Sequence, residues 1–239
     1  MTRRSSNPAR LLVAFTCLAV VIAACTSAGA SAPPGSPGGS LLPPVSAVPS
    51  TSPSASPAPV TPASKACPTV PPPPLAAGET RTVTIETAEG QIVLKIDGDL
   101  APNAAGNFVA LAECGYYDGV VFHRLVPNFV IQGGDPTGTG TGGPGYGIKD
   151  QEVKGEYKRG TLAMARTPAP DSQGSQFFIV LTDEAGPTLE TYRTYAIFGE
   201  VVSGMETADA IAAMPNKGEA EGNAAVNPVA MDNLTVTNP

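Results

Sequence analysis

Residues 122–135, FHRLVPNFVIQGGD, gather the side chains best suited to chemistry: His123, the only histidine in the chain, Arg124 beside it, and Gln132 before a Gly-Gly-Asp turn. A guanidinium is permanently charged and donates in a rigid fork, while a glutamine amide both donates and accepts. Set among Phe122, Phe129 and their apolar neighbours, the pair reads as a groove in which a bound group is hydrogen-bonded. Arg124 has a second reading, as a strand-edge residue whose stem covers apolar surface while its head reaches water. The residues alone leave both open.

Other chemistries fit less well. A Ser-His-Asp triad would have to use His123, and Gly174-Ser175-Gln176 lacks the nucleophile-elbow pattern. Neither a second histidine nor a Cys-x-x-Cys pair is present to build a metal site. Gly138, Gly140 and Gly143 spell GxGxxG, but Pro144-Gly145-Tyr146-Gly147 follows where a dinucleotide loop needs a helix start. These glycines read as a surface loop beside a groove. His123 reads as a packed structural residue with its ring nitrogens hydrogen-bonded. No cofactor is expected.

The elements that must position these residues are short. Pro127 and Asn128 break the apolar run, so two strands around a bend are expected within 122–135. Residues 81–86 and 91–97 alternate, with Val83 and Ile85, then Ile92, Leu94 and Ile96, each on one face, which predicts a hairpin. Ala101-Pro102-Asn103 opens a helix carrying Phe108, Leu111 and Ala112 on one face, and Gly115 ends it. Further strands are expected over 147–153, 160–165, 175–181, 196–202 and 229–236. Ser203 and Glu206 match a capping box for a second helix, which runs through Ile211 and stops at Pro215. Many short strands with only two helices argue for an antiparallel barrel or sandwich.

Ahead of this domain, residues 1–24 read as an export signal. Arg3, Arg4 and Arg10 precede an apolar stretch too short to span a bilayer. It ends Ile22-Ala23-Ala24-Cys25, which resembles the bacterial lipobox and implies lipidation of Cys25; an ordinary secretory signal is the other reading. Either way the mature protein is expected outside the cytoplasm, lipid-anchored to the cell membrane in the first case. Residues 25–79 read as a Pro/Ser/Ala-rich disordered linker, because such composition cannot offset the entropy of ordering it. Its prolines favour polyproline II at ~3.1 Å per residue, a reach on the order of 100 Å. Residues 80–239 then form one domain, expected to be monomeric.

Without the leader the chain loses three of its 14 basic residues and none of its 21 acidic ones. Nucleic acid as a partner wants a basic face, so none is expected. Besides Cys25, the mature thiols are Cys67 and Cys114. In an oxidising compartment two such cysteines tend to pair, which would pin the linker's end to the end of the first helix. Two independent small residues are the other reading.

Four ordered motifs carry a family resemblance. FHRLVPNFVIQGGD, LAMART at 162–167, GSQFFI at 174–179 and IFGEV at 197–201 are together similar to the cyclophilin-type peptidyl-prolyl cis-trans isomerases, and the MART form resembles their bacterial branch. The resemblance covers residues 81–236. It implies an all-β-dominated fold, an eight-stranded antiparallel barrel capped by two α-helices, with substrate in a groove on the outer face. Arg124 then matches the catalytic arginine, with Phe129 and Gln132 beside it in the catalytic set. Phe129, Val130 and Phe178 match the floor and walls of a proline pocket that Leu189 completes. Gln132 matches a glutamine that bonds substrate backbone. Ala165, Arg166 and Thr167 match the segment that pairs with the peptide main chain, and Gln176 and Gly140 border the neighbouring pocket. Thr188 stands where many eukaryotic members carry tryptophan, and Tyr195 where they often carry histidine. That lowers the expected affinity for cyclosporin-like macrocycles and leaves the arginine untouched.

The residues suit the implied chemistry. Rotating an X-Pro bond breaks amide resonance and takes tens to hundreds of seconds unaided. As resonance is lost the prolyl nitrogen regains a lone pair, to which a fixed guanidinium can donate. A rate gain of ~10⁵ requires roughly 7 kcal/mol, more than one charge-assisted bond supplies, so positioning must contribute. The expectation is an enzyme that acts on proline-containing polypeptides and assists the folding of exported proteins. The alternative is a non-catalytic module that holds proline peptides on the same fold.

Overall fold

The computed structural model describes residues 66–238; the leader, Cys25 and the linker through residue 65 lie outside them. The predicted hairpin forms from β1 (Thr80–Thr87) and β2 (Gly90–Asp97), in register from Thr80 opposite Asp97 to Thr87 opposite Gly90. Its alternation buries Val83, Ile85, Ile92, Leu94 and Ile96 completely. Helix α1 (Pro102–Glu113) starts on a proline, whose missing N–H has no intrahelical partner to lose. It buries Phe108, Leu111 and Ala112 against the sheet.

The segment 66–79, expected within the linker, packs on α1 instead. Leu75 joins the core, and its N–H donates to the Pro102 carbonyl at 3.0 Å. The approach is close enough that a Cβ at Gly106 would lie 2.4 Å from the Pro73 carbonyl oxygen, so only glycine fits there. Cys67 is disulfide-bonded to Cys114, the residue that caps the end of α1.

The remaining elements are β3 (Val121–Val126), β4 (Val130–Asp135), β5 (Thr161–Met164), β6 (Phe177–Val180), α2 (Gly186–Tyr192), β7 (Ile197–Ser203), α3 (Met205–Ala212), β8 (Ala224–Ala230) and β9 (Asn233–Thr237). The strands make one antiparallel sheet in the order β8-β3-β4-β6-β5-β7-β2-β1-β9. The sheet has nine strands where the resemblance implied eight: the run expected at 229–236 is two strands, β8 and β9, while 147–153 supplies none. Met231 donates its N–H to the Val120 carbonyl at 2.9 Å, and Asp232 donates to the Glu86 carbonyl at 2.8 Å. This two-residue link passes from the β3 edge to the β1 edge and so holds the sheet in a curl.

Three smaller expectations fail for local reasons. Residues 147–153 form only an isolated bridge, Ile148 opposite Gln173. The Ser203–Glu206 capping box is absent, because Ser203 ends β7 and Gly204, at φ 87°, becomes the N-cap of α3. Helix α2 makes a third α-helix where only two were expected.

The apolar residues form two layers. Phe108, Phe122, Ile131, Phe177, Ile179 and Phe198 lie within the curl. Val130, Phe178, Val180, Leu189 and Ile197 form a second cluster on the other face. All four residues of β6, FFIV, are buried, alternating between the layers, which accounts for its unbroken apolar run.

Candidate active site

In β3, Phe122 is opposite Gly133 and Arg124 is opposite Gln132, so His123 is an extra residue with none facing it. A bulge of this kind resets the alternation of a strand. Phe122 and Leu125 therefore both enter the inner layer, while Arg124 and Val126 turn to the outer face. The arginine's neighbours in sequence are core residues; the bulge places its guanidinium over the second apolar layer.

Arg124 is half-buried there. Its Nε donates to the Gly222 carbonyl at 3.2 Å and its Nη1 to Gln132 Oε1 at 3.3 Å. Among the described residues no group accepts from Nη2, which leaves one arm of the fork for a bound acceptor. Burial lowers the guanidinium pKa without bringing it near neutrality. Beside it lies a cavity of about 530 Å³, floored by Val130, Phe178 and Leu189 and walled by Phe129 and Tyr195. The Tyr195 ring meets Phe178 edge-on, centroids 5.4 Å apart at 85°. The pocket thus joins an apolar floor to a polar rim of Arg124, Gln132, Thr188 and Glu219.

The polar side of the groove is a relay of amides. Gln132 Nε2 donates to Gln176 Oε1 at 3.0 Å, and Gln176 Nε2 donates to the carbonyls of Gly140 and Gly142 at 3.0 and 2.9 Å. Gln176 and Gly140 border a second hollow of about 360 Å³. Gln132, Ala165 and Arg166 line both hollows, so the two are one continuous groove. Along its edge, the Ala165 N–H donates to the Gln176 carbonyl at 2.9 Å, and both main-chain groups of Thr167 bond the Ser172 hydroxyl at 3.2 and 3.1 Å. The backbone groups of Arg166, which lies between them, make no such bond among the described residues. The Arg166 side chain is turned onto Asp150, 3.0 Å away, and the Ala169 carbonyl at 2.9 Å.

The glycine-rich loop wraps a carboxylate of the chain itself. Asp135 is fully buried and accepts from the N–H groups of Thr137, Thr139, Gly140 and Gly142 at 2.7, 3.1, 2.6 and 3.0 Å. Burial would raise its pKa, but the Gly142, Thr137 and Gly140 N–H groups and the Thr137 hydroxyl hold it at about 2. A Cβ at Gly142 would sit 2.1 Å from Asp135 Oδ1, so the wrap requires glycine there. His123 lies beneath this loop, 7% exposed, with its Nε2 3.6 Å from where a Gly140 Cβ would be. Its packed role is as expected, but among the described residues neither ring nitrogen finds a hydrogen-bond partner at normal geometry. Burial lowers its pKa.

Three contributors to the groove were not anticipated. Thr188 and Leu189 line the pocket, and so does Tyr192, because 186–192 is the helix α2. Pro187 in its first turn was the available signal. Glu219, on a 3₁₀ turn at Glu219–Glu221, reaches the pocket, and the Gly222 carbonyl fixes Arg124. Nothing in the sequence points to these two, since folding alone brings a loop 98 residues away to Arg124. Another hollow, of about 520 Å³, is lined by Lys95, Asp97, Lys158 and Glu200 and has no aromatic wall. It lacks the features the arginine groove combines.

Comparison with known proteins agrees with this geometry. The family model described as cyclophilin type peptidyl-prolyl cis-trans isomerase/CLD matches residues 82–236. Peptidyl-prolyl cis-trans isomerase ppi1 of Schizosaccharomyces pombe is 46% identical over 128 residues, 52% of this chain and 79% of that protein. Peptidyl-prolyl cis-trans isomerase-like 2 of Cryptococcus neoformans is 46% identical over 135 residues, which are 54% of this chain but only 23% of that longer protein. The crystal structure of a Cryptosporidium parvum cyclophilin type peptidyl-prolyl cis-trans isomerase superimposes with a TM-score of 0.59 at 31% identity, covering 67% of this chain and 99% of that one. The parasite enzyme has also been crystallised in the presence of the dipeptide Ala-Pro.

Proposed function

The chain belongs to the cyclophilin-type peptidyl-prolyl cis-trans isomerase family, and from that premise we propose that it rotates X-Pro bonds of exported polypeptides while tethered outside the cytoplasm through Cys25. The observation that carries the catalytic part is Arg124, turned outward by the His123 bulge beside an aromatic pocket, with one arm of its fork unengaged by the described residues. The proline ring enters over Phe178, Val130 and Leu189, between Phe129 and Tyr195. Gln132, held by Arg124 on one side and Gln176 on the other, presents its amide to the substrate backbone. The Arg166 main chain fixes the peptide strand.

Catalysis requires nothing covalent. The planar amide offers its nitrogen little to a donor, whereas the twisted amide exposes a lone pair, so the guanidinium stabilises the transition state selectively. The apolar floor excludes water and strengthens that bond. The Gln176–Gly140 end of the groove contributes by positioning.

Three features support the location: the lipobox-like Ile22-Ala23-Ala24-Cys25, the Pro/Ser/Ala-rich linker, and a Cys67–Cys114 bond of the kind an oxidising compartment maintains. The family match begins at residue 82, so the anchor rests on the first two features and on no relative. The experiment is cis-trans exchange measured by NMR on a proline tetrapeptide. Exchange accelerated at catalytic protein concentration supports the enzyme. Binding without acceleration would favour a module that only holds proline peptides.

A further inference from the structure

The two ends of the groove differ in charge. At the Gly140–Gln176 end, the one arginine, Arg166, is paired to Asp150 at 3.0 Å, and the rest of the lining, Tyr146 and Gln176 included, carries no charge. At the other end, beyond Phe129 and Phe178, the wall is made by Thr188 and Tyr192 of α2 and by Glu219 of the 3₁₀ turn, while Arg124, which also lines this cavity, is engaged by the Gly222 carbonyl and Gln132. Tyr192 is 63% exposed, although it lines the cavity, so one side of its ring is available to a ligand. Glu219 is exposed and makes no ion pair among the described residues. An unpaired carboxylate and an aromatic ring thus face one cavity mouth from separate elements. That combination takes a guanidinium or ammonium, which can lie on the ring while donating to the carboxylate.

We propose that this end of the groove selects a basic side chain flanking the substrate proline, with Tyr192 and Glu219 as the specificity-determining residues. The inference rests on the isomerase reading for the placement of the proline. A proline in the Phe178 pocket directs one flank of the peptide over Gln132 and Arg166 toward Gly140. The other flank must leave past Thr188, Tyr192 and Glu219. Only this second flank meets the acid, so the preference belongs to one flanking position. Acidic side chains there are repelled, which steers the enzyme toward basic segments of its substrates.

The test uses the full mature chain and two tetrapeptide series, Ala-Z-Pro-Ala and Ala-Ala-Pro-Z, with Z as Arg, Gln or Glu. Affinity is measured by calorimetry and exchange by NMR. In one series Arg should bind about tenfold tighter than Glu at low salt, with Gln between them, and the ratio should shrink in 0.5 M salt. Glu219→Gln and Tyr192→Ala should each cut that ratio several-fold. Glu221→Gln, on the same turn but outside the cavity wall, should leave the ratio as it is. Equal affinity for Arg and Glu peptides in both series overturns the proposal. So does a ratio that survives Glu219→Gln, or one that Glu221→Gln reduces as much. An Arg preference in affinity without accelerated exchange would uphold the specificity and overturn the isomerase reading instead.

Discussion

Phe122 and Arg124 lie two residues apart on one strand and yet face opposite sides of the sheet, because the unpaired His123 resets the alternation between them. The two positions should therefore separate cleanly in mutants. Phe122→Ala removes a ring buried in the inner layer and should cost about 3–5 kcal/mol. Arg124→Ala removes a groove side chain and should change stability by less than about 1 kcal/mol. Chemical denaturation of the two variants checks this, and comparable losses would mean that Arg124 is part of the packing.

Acid should destabilise the domain in two stages. The folded state lowers the His123 pKa below 6.5, so the unfolded chain takes up the proton first. Stability is then fully present above pH 6.5 and declines as pH falls below it. Asp135 follows the same sign lower down. Its pKa drops from 3.8 to about 2 on folding, so its contribution is present above pH 3.8 and lost as pH falls through 2. That contribution is about 2 kcal/mol. In His123→Asn the decline between pH 7 and 5 should flatten, and in Asp135→Asn the decline between pH 4 and 2 should flatten, in denaturant titrations across pH. An unchanged slope in either variant would count against the assignment.

Much of this arrangement was legible in the sequence. The hairpin alternation, the Pro102 helix start and the FFIV run pointed directly to elements that formed. What escaped depended on the path of the backbone. One extra residue at His123 decides where Arg124 points, and residues 121–126 show no sign of it in their composition. The break at Met231-Asp232 is set by which edge each half of the run can reach. Glu219 and Gly222 meet Arg124 only through tertiary folding. Residues 66–79 looked like linker because prolines dominate them, although Leu75 and Cys67 are enough to dock them on α1.

Reducing the Cys67–Cys114 bond should release that docked segment. The bond closes a separation of 47 residues, for which chain entropy gives about 3–4 kcal/mol. Reduced protein should melt lower and become susceptible to proteolysis within 66–79, with two thiols newly open to alkylation. Free thiols at both positions in freshly isolated, unreduced material would contradict the pairing.

Cys25→Ala should leave the protein unlabelled by a fatty-acid probe and release it from the membrane fraction. Unchanged retention in membranes would remove the lipid anchor from the account.

The account turns on Arg124 stabilising the twisted amide more than the planar one. In Arg124→Ala, kcat/KM on a proline peptide should fall by about 10²–10³, the scale for loss of one transition-state donor, while affinity for the same peptide changes little. Phe129→Ala, by contrast, should weaken affinity and turnover together by opening the pocket. The decisive measurement is therefore kcat/KM set against peptide affinity in Arg124→Ala, with the fold verified by circular dichroism. A large loss of turnover at near-constant affinity is the predicted result. Equal losses in both, or no loss in either, would contradict it.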